Sequence, residues 1–179
     1  MPGTGEPFLV EISTPRLALY GLQTSHLKRL VENPEGLEKA LGFAIARDVL
    51  TPRVQHAIHS KLKKMETAAI ADYAWFTYWM IWVRETRLGA GLIGFKGIPA
   101  GPSDVEIGYG IDPACQNRNY MTEAVLGLSA WAFTDPRCTG IYAAVLKTNP
   151  ASSRVLEKAG FYCVSIRRDE IFWRLPRPA

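Results

Sequence analysis

Apolar positions change their spacing several times along the chain, and each change predicts an element. Over residues 12–22, ISTPRLALYGL, Leu17, Leu19 and Gly21 alternate with Arg16, Ala18 and Tyr20 after a turn at Pro15, which predicts a short strand. Over 24–41 the period lengthens: Leu27, Leu30, Val31, Leu37 and Leu41 recur at helical intervals, and Asn33-Pro34 divides them into two helical pieces. Thr51-Pro52 offers an N-cap followed by a first-turn proline, and Val54, Ile58, Leu62 and Met65 carry a helical stripe to about Thr67. Residues 73–100 are rich in aromatic and branched side chains, with 84–89 between two such runs, and predict a hairpin. The turn Pro99-Ala100-Gly101-Pro102-Ser103 leads to a strand over 104–111. A polar stretch, CQNRNYMTEAV at 115–125, then opens a helix over about 122–133, with Val125, Leu128, Trp131 and Ala132 on its apolar side. The apolar run 141–146 reads as a strand buried on both faces. After Asn149-Pro150 come a short helix, SSRVLEKA, closed by Gly160, and strands around 161–165 and 169–175. Antiparallel strands first, then strands alternating with helices, imply an α/β (α+β) fold: a mixed sheet with helices packed against it.

Composition narrows the class. A chain of 179 residues, 47% apolar, is long enough for a sizeable core, and its length favours one domain over 1–179, with 1–8 expected as a flexible leader. No apolar run nears twenty residues, and MPGTGEPF lacks a basic segment followed by an apolar block, so neither a membrane span nor an export signal is expected and a cytoplasmic protein is. The net charge of +4 is scattered apart from Lys61-Leu62-Lys63-Lys64 and Arg167-Arg168. Without interleaved aromatics, the lysines fit a solvated helix face better than a nucleic-acid surface. Cys115, Cys138 and Cys163 are far apart and lack metal-site spacing, so they are expected to be free, small apolar residues; Cys115 is singled out because it opens the polar stretch. His26, His56 and His59 lie in the N-terminal helices and have no acidic or cysteine partner nearby in sequence, so packing or surface roles are expected and no metal.

The polar stretch is the first candidate for chemistry. A loop leaving a strand and entering a helix presents outward N–H groups at the positive end of the helix dipole, which suits a phosphate. Residues 111–122 form such a junction, with Gln116, Asn117, Arg118 and Asn119 adding polar groups and Arg118 available to one phosphate. Read alone, these residues fit an ordinary turn sooner than a phosphate cradle, since most strand-to-helix loops bind nothing. The second candidate is the preceding strand. Alternation puts Val105, Ile107, Tyr109 and Ile111 on one face and Glu106, Gly108 and Gly110 on the other, where two glycines beside a carboxylate leave a groove. Asp112 is a fallback acid or base, although its place before Pro113 suits turn chemistry. Tyr73, Trp75, Phe76, Tyr78, Trp79 and Trp82 fit either a core or a substrate mouth, and an acceptor pocket is expected from the N-terminal helices and the loop at 68–73.

Five segments together resemble the GNAT superfamily of acetyl-CoA-dependent N-acetyltransferases, in its branch acting on N-terminal amines of ribosomal proteins and related substrates. They are TPRLALYGL, WMIWVRETRLGAGLIGFKGI, VEIGYGIDPACQNRNYMTEAVLGLSAWAF, NPASSRVLEKAGF and RRDEIFWRL. The resemblance covers nearly the whole chain. It implies a mixed, mostly antiparallel sheet of about seven strands with helices on both faces, and acetyl-CoA as cosubstrate. It implies a cofactor site at Ile111, Gln116, Asn117, Arg118, Asn119, Tyr120, Met121, Thr122, Asn149 and Ser152, a general base at Glu106, and a thiolate-assisting acid at Ser152. The expected partner is a small-molecule or peptide amine, neither nucleic acid nor membrane, with a homodimer left open. The family's loop pattern is Q/R-x-x-G-x-G/A, and here Asn119 and Met121 replace its two small residues. That departure keeps a second reading open, a noncatalytic domain that binds acyl-CoA. Asparagine reaches a positive φ better than other residues with a side chain, and Met121 is flexible enough to turn toward the core. Ser152 also fits an N-cap of the helix that follows it.

Overall fold

Side-chain alternation along the inner strands sorts the core into two layers, one on each side of a nine-stranded sheet. The computed structural model describes residues 7–178; the first six residues of the expected leader lie outside the described residues. Its strands are β1 (Glu11–Ser13), β2 (Leu17–Gly21), β3 (Ala44–Ile45), β4 (Trp79–Val83), β5 (Leu88–Phe95), β6 (Ser103–Ile111), β7 (Cys138–Leu146), β8 (Tyr162–Arg167) and β9 (Glu170–Pro176). They run in the order β1-β2-β4-β5-β6-β7-β9-β8, with β3 beside β5. All neighbours on that path are antiparallel except β6 and β7, and the short β3 is parallel to β5. Nine strands instead of about seven arise because the first apolar run folds back on itself as β1 and β2, and because Ala44–Ile45 adds the two-residue β3.

The helices are α1 (Thr24–Glu32), α2 (Pro34–Leu41), α3 (Pro52–Met65), α4 (Tyr73–Phe76), α5 (Tyr120–Ala132) and α6 (Pro150–Lys158). In β2, Leu17 and Leu19 point to the layer under α5, whereas Ala18 and Tyr20 point to the layer under α1, α2 and α3; both layers are closed, so the whole strand is buried. The break between α1 and α2 falls at Asn33, whose side-chain oxygen accepts from the Gly36 N–H at 2.9 Å, and Thr51 caps α3 by accepting from Val54 N–H at 3.3 Å. Tyr73–Phe76, expected as strand, is one helical turn; Trp75 and Trp79 then pack on Trp131 at ring distances of 4.8 and 5.1 Å. Strand β7 is buried on one face only. Ile141, Ala143 and Val145 enter the core, whereas Tyr142 and Ala144 are half-buried and Leu146 is exposed. Phe8, placed in the leader by its sequence, stacks on Tyr20 at 4.2 Å.

Lys61 departs from the solvated face expected of its cluster. It is 7% exposed, and its ammonium donates to the carbonyls of Phe76, Thr77 and Phe95 at 3.1, 3.1 and 2.6 Å while lying over the Tyr78 ring. A Cβ at Gly94 would press on the Thr77 carbonyl at 2.6 Å, so glycine there makes room for the arrangement. Burial, followed by repulsion from Lys64 and Lys96, pushes the Lys61 pKa down to about 7. An unfolded chain, with lysine near its ordinary value, therefore binds a proton that the folded chain gives up. Stability is expected to rise from pH 7 to 9 on this account. Urea denaturation at the two pH values checks it, and the rise should be lost in Lys61→Met.

Candidate functional site

The site begins where β6 and β7 part. The two strands pair only from Ser103 opposite Cys138 to Glu106 opposite Tyr142. Beyond that point β6 continues to Ile111 beside β5 alone, and β7 continues to Leu146 beside β9 alone. A sheet interior that opens in this way exposes two strand edges to a ligand. Two cavities sit at the opening and share Tyr109, Gly110, Ile111, Asn149 and Ser152.

The first cavity, about 330 Å³, lies against the start of α5. Helix α5 starts at Tyr120, so the polar stretch feeds directly into its first turn. Asn117 and Asn119 have φ of 59° and 60°, the left-handed region that glycine favours and asparagine tolerates. Among the described residues, none of the N–H groups from Asn117 to Thr122 has an acceptor in the protein. Free N–H groups gathered at a left-handed corner and a helix N-terminus make an anion cradle. Gln116, Asn117, Asn119, Tyr120, Met121 and Thr122 all line it, as do Ile111, Asn149 and Ser152. Arg118 does not: it is outside the lining, and its carbonyl accepts from Arg16 at 3.0 Å. Met121 is 5% exposed and joins the core, which removes most of its bulk from the cavity.

Two cations absent from the sequence expectation line the same cavity. Arg154 and Lys158 are four residues apart on α6 and so share a face. Lys158 donates to the Asn119 side-chain oxygen at 2.8 Å. The i, i+4 spacing after Asn149-Pro150 was the signal that would have found them.

The second cavity, about 440 Å³, is the groove over Glu106, Gly108 and Gly110. A Cβ at either glycine would meet nothing within 4 Å, so the groove there is open. Its far wall is Asp48, Thr51, Arg53, Val54 and Ala57 from the start of α3 and the turn before it, with Tyr78. Ala68, Ala69 and Asp72 of the loop expected to help form an acceptor pocket line a neighbouring hollow, which shares Lys96 with this groove. Most of the aromatic group is core, and Tyr78 alone of the six lines the groove. Glu106 is ion-paired with Lys96 through Oε1, and its Oε2 accepts from the Tyr142 hydroxyl at 3.5 Å.

Asn149, not Ser152, caps α6: its side-chain oxygen accepts from the Ser152 N–H at 3.2 Å, and its amide donates to Ser152 Oγ at 3.1 Å. With Oγ accepting from Asn149, the Ser152 hydroxyl keeps its own hydrogen as a donor, and Ser152 lines both cavities. Tyr109 donates to the Ser152 carbonyl at 3.1 Å, and burial raises its pKa far above the physiological range, partly opposed by the Ser152 side chain. Tyr109 thus stays a phenol that fixes the start of α6. Asp112 behaves as turn chemistry, its two oxygens accepting from the N–H groups of Ala114 and Asp48. Burial, with Asp112 adding to it, raises the Cys115 thiol, which argues against a thiolate nucleophile at the cavity. His26 accepts from Gln23 N–H at the start of α1, and His59 bonds the Gln55 carbonyl on α3, so both serve their own helices. No group of three or more metal-ligating side chains occurs among the described residues.

Comparison with known proteins decides the family. Residues 16–162 match the acetyltransferase (GNAT) domain. The chain belongs to the GNAT acetyltransferase family. The probable N-acetyltransferase YjcK of Bacillus subtilis is 42% identical over 65 residues, 36% of this chain and 36% of that protein. YoaA, an uncharacterized N-acetyltransferase of the same organism, is 30% identical over 94 residues, 52% of this chain and 53% of that one. The chain thus matches about half or less of the length of these relatives. Among solved structures, the ribosomal-protein-S5-alanine acetyltransferase of Vibrio fischeri shares the fold with a TM-score of 0.66 at 16% identity, covering 94% of this chain and 97% of that one. RimL, a ribosomal L7/L12 alpha-N-protein acetyltransferase solved with coenzyme A, gives 0.61 at 16%, covering 93% and 98%. No helix of the described residues is long and apolar enough to cross a membrane.

Within the GNAT frame, the substitution of asparagine for the first small residue has a measurable cost structure. Asn119→Gly is expected to leave stability within about 1 kcal/mol, since glycine adopts the same φ freely. Asn119→Val, which cannot adopt it without strain, should cost about 1–3 kcal/mol. Chemical denaturation of the three proteins checks the contrast.

Proposed function

We propose that the protein transfers an acetyl group from acetyl-CoA to a primary amine by direct attack in a ternary complex. The observation that carries this reading is the adjacency of the two cavities at the β6/β7 opening: one presents unpaired N–H groups and cations, the other a carboxylate, and they share Tyr109, Gly110, Ile111, Asn149 and Ser152. A diphosphate suits the free N–H groups of 117–122 together with Arg154 and Lys158. The cosubstrate supplies an acyl thioester, already activated for attack by an amine.

In this reading the residues divide the work along the opening. Glu106 takes the proton that the amine nitrogen gives up as its bond to the acyl carbon forms, either directly or through water. Ser152 stabilises the departing thiolate by a hydrogen bond from its hydroxyl as the carbon–sulfur bond breaks, keeping its own proton, and the thiolate takes its proton from solvent. Asn149 holds that hydroxyl, and Tyr109 holds the helix turn that carries both. The groove over Gly108 and Gly110 receives the acceptor, a small-molecule or peptide amine. The cytoplasm suits this chemistry, where the three free thiols stay reduced.

The ion pair of Glu106 with Lys96 supports a second reading, in which the carboxylate is structural and the domain binds an acyl-CoA without turnover. Calorimetric titration with acetyl-CoA, followed by thiol release across a panel of amines, separates the two: binding with release favours the enzyme, and binding alone favours the second. Against an active acceptor, Glu106→Gln is expected to lower kcat about a hundredfold or more. Gly108→Leu fills open space, so its melting temperature should stay near that of the wild type while kcat/KM for the acceptor falls at least about tenfold.

A further inference from the structure

We propose that Arg16, in the turn between β1 and β2, is a positioning residue that holds the Arg118–Asn119 peptide with its N–H turned into the anion cradle. The inference rests on the acetyl-CoA reading above and assigns a cause to the cradle's geometry. Arg16 makes four contacts with the corner. Its NH1 donates to the Arg118 carbonyl at 3.0 Å, its Nε to Glu123 Oε2 at 2.7 Å, and its backbone N–H to Glu123 Oε1 at 2.8 Å. Its guanidinium carbon lies 5.0 Å from the centre of the Tyr120 ring. Thr14 also donates to Glu123, at 2.7 Å.

The peptide bond supplies the link from these contacts to the ligand. No cis peptide occurs among the described residues, so the Arg118 carbonyl and the Asn119 N–H point in opposite directions. Arg16 is outside the cavity lining and Asn119 is in it. Drawing the carbonyl toward Arg16 therefore aims the N–H at the cavity. From the other side, Lys158 holds the Asn119 side chain, so the left-handed residue is gripped on both flanks. Left-handed asparagine persists where its surroundings over-determine it. Arg16 has a second effect. Glu123 sits one turn into α5, where its charge opposes an anion, and the fork of Arg16 neutralises it.

The test compares coenzyme A with an acyl-pantetheine thioester that lacks the diphosphate. Arg16→Met keeps an apolar stem over Tyr120 and removes the fork, while Arg16→Lys keeps the charge but not the forked pair of bonds. The ratio of coenzyme A affinity to pantetheine-thioester affinity is expected to fall about tenfold or more in Arg16→Met, and less in Arg16→Lys. An unchanged ratio would overturn the proposal, whether both affinities hold or both fall together, since general support of α5 moves them in parallel. Wild-type protein that binds the thioester but not coenzyme A would also overturn it. Wild-type protein that binds neither would remove the acetyl-CoA reading itself.

Discussion

Four register pairs between two parallel strands determine everything else about this molecule. Were β6 and β7 paired along their whole length, the sheet would close and its interior would offer a ligand no backbone. Pairing that stops at Glu106 and Tyr142 leaves Ile107–Ile111 and Ala143–Leu146 facing each other across a gap. The helix that follows each strand begins at the mouth of that gap, α5 after β6 and α6 after β7. Both helices therefore bring their N-terminal N–H groups to one place, beside the Glu106 carboxylate and the Ser152 hydroxyl.

The gap also sets what the neighbouring residues must be. Gly108 and Gly110 carry no side chain where the groove needs depth, and Tyr109 between them turns to the other face to brace α6. The corner before α5 is more demanding, because it must keep several donors unpaired. Glycine usually meets that need by conformational freedom. Here asparagine takes the left-handed shape at 117 and 119, and at 119 it is fixed there by neighbouring cations bonding the carbonyl before it and its own side chain. A flexible solution has been exchanged for a braced one.

Much of this was legible in the sequence where local rules suffice. The Asn33 break, the Thr51 cap, the Gly160 stop and the two-glycine face of β6 follow from residue type and spacing alone, and the structure places each as expected. Misreadings came where a long-range partner decided the outcome. Lys61 has the sequence context of a surface lysine, and only the carbonyls of 76, 77 and 95 draw it inward. Arg118 stands apart from its loop neighbours, outside the cavity lining, with its carbonyl engaged by a residue about a hundred positions earlier. Arg154 and Lys158 stayed unnoticed because a basic pair on a short helix resembles any solvated face until the fold brings it opposite α5. The one-sided burial of β7 was hidden for a related reason: a strand beside an empty gap is as apolar as one beside a helix.

The inward lysine has a structural corollary for how such a protein diversifies. By fastening the C-terminal half of α3 to the residue after α4 and to the end of β5, it makes the helix and the floor beneath it move together. The start of the same helix, with Thr51, Arg53 and Val54, overhangs the groove on the far side of that anchor. Replacements at the overhang can thus reshape the width of the groove while leaving its floor in register, so a new groove shape requires no change of scaffold.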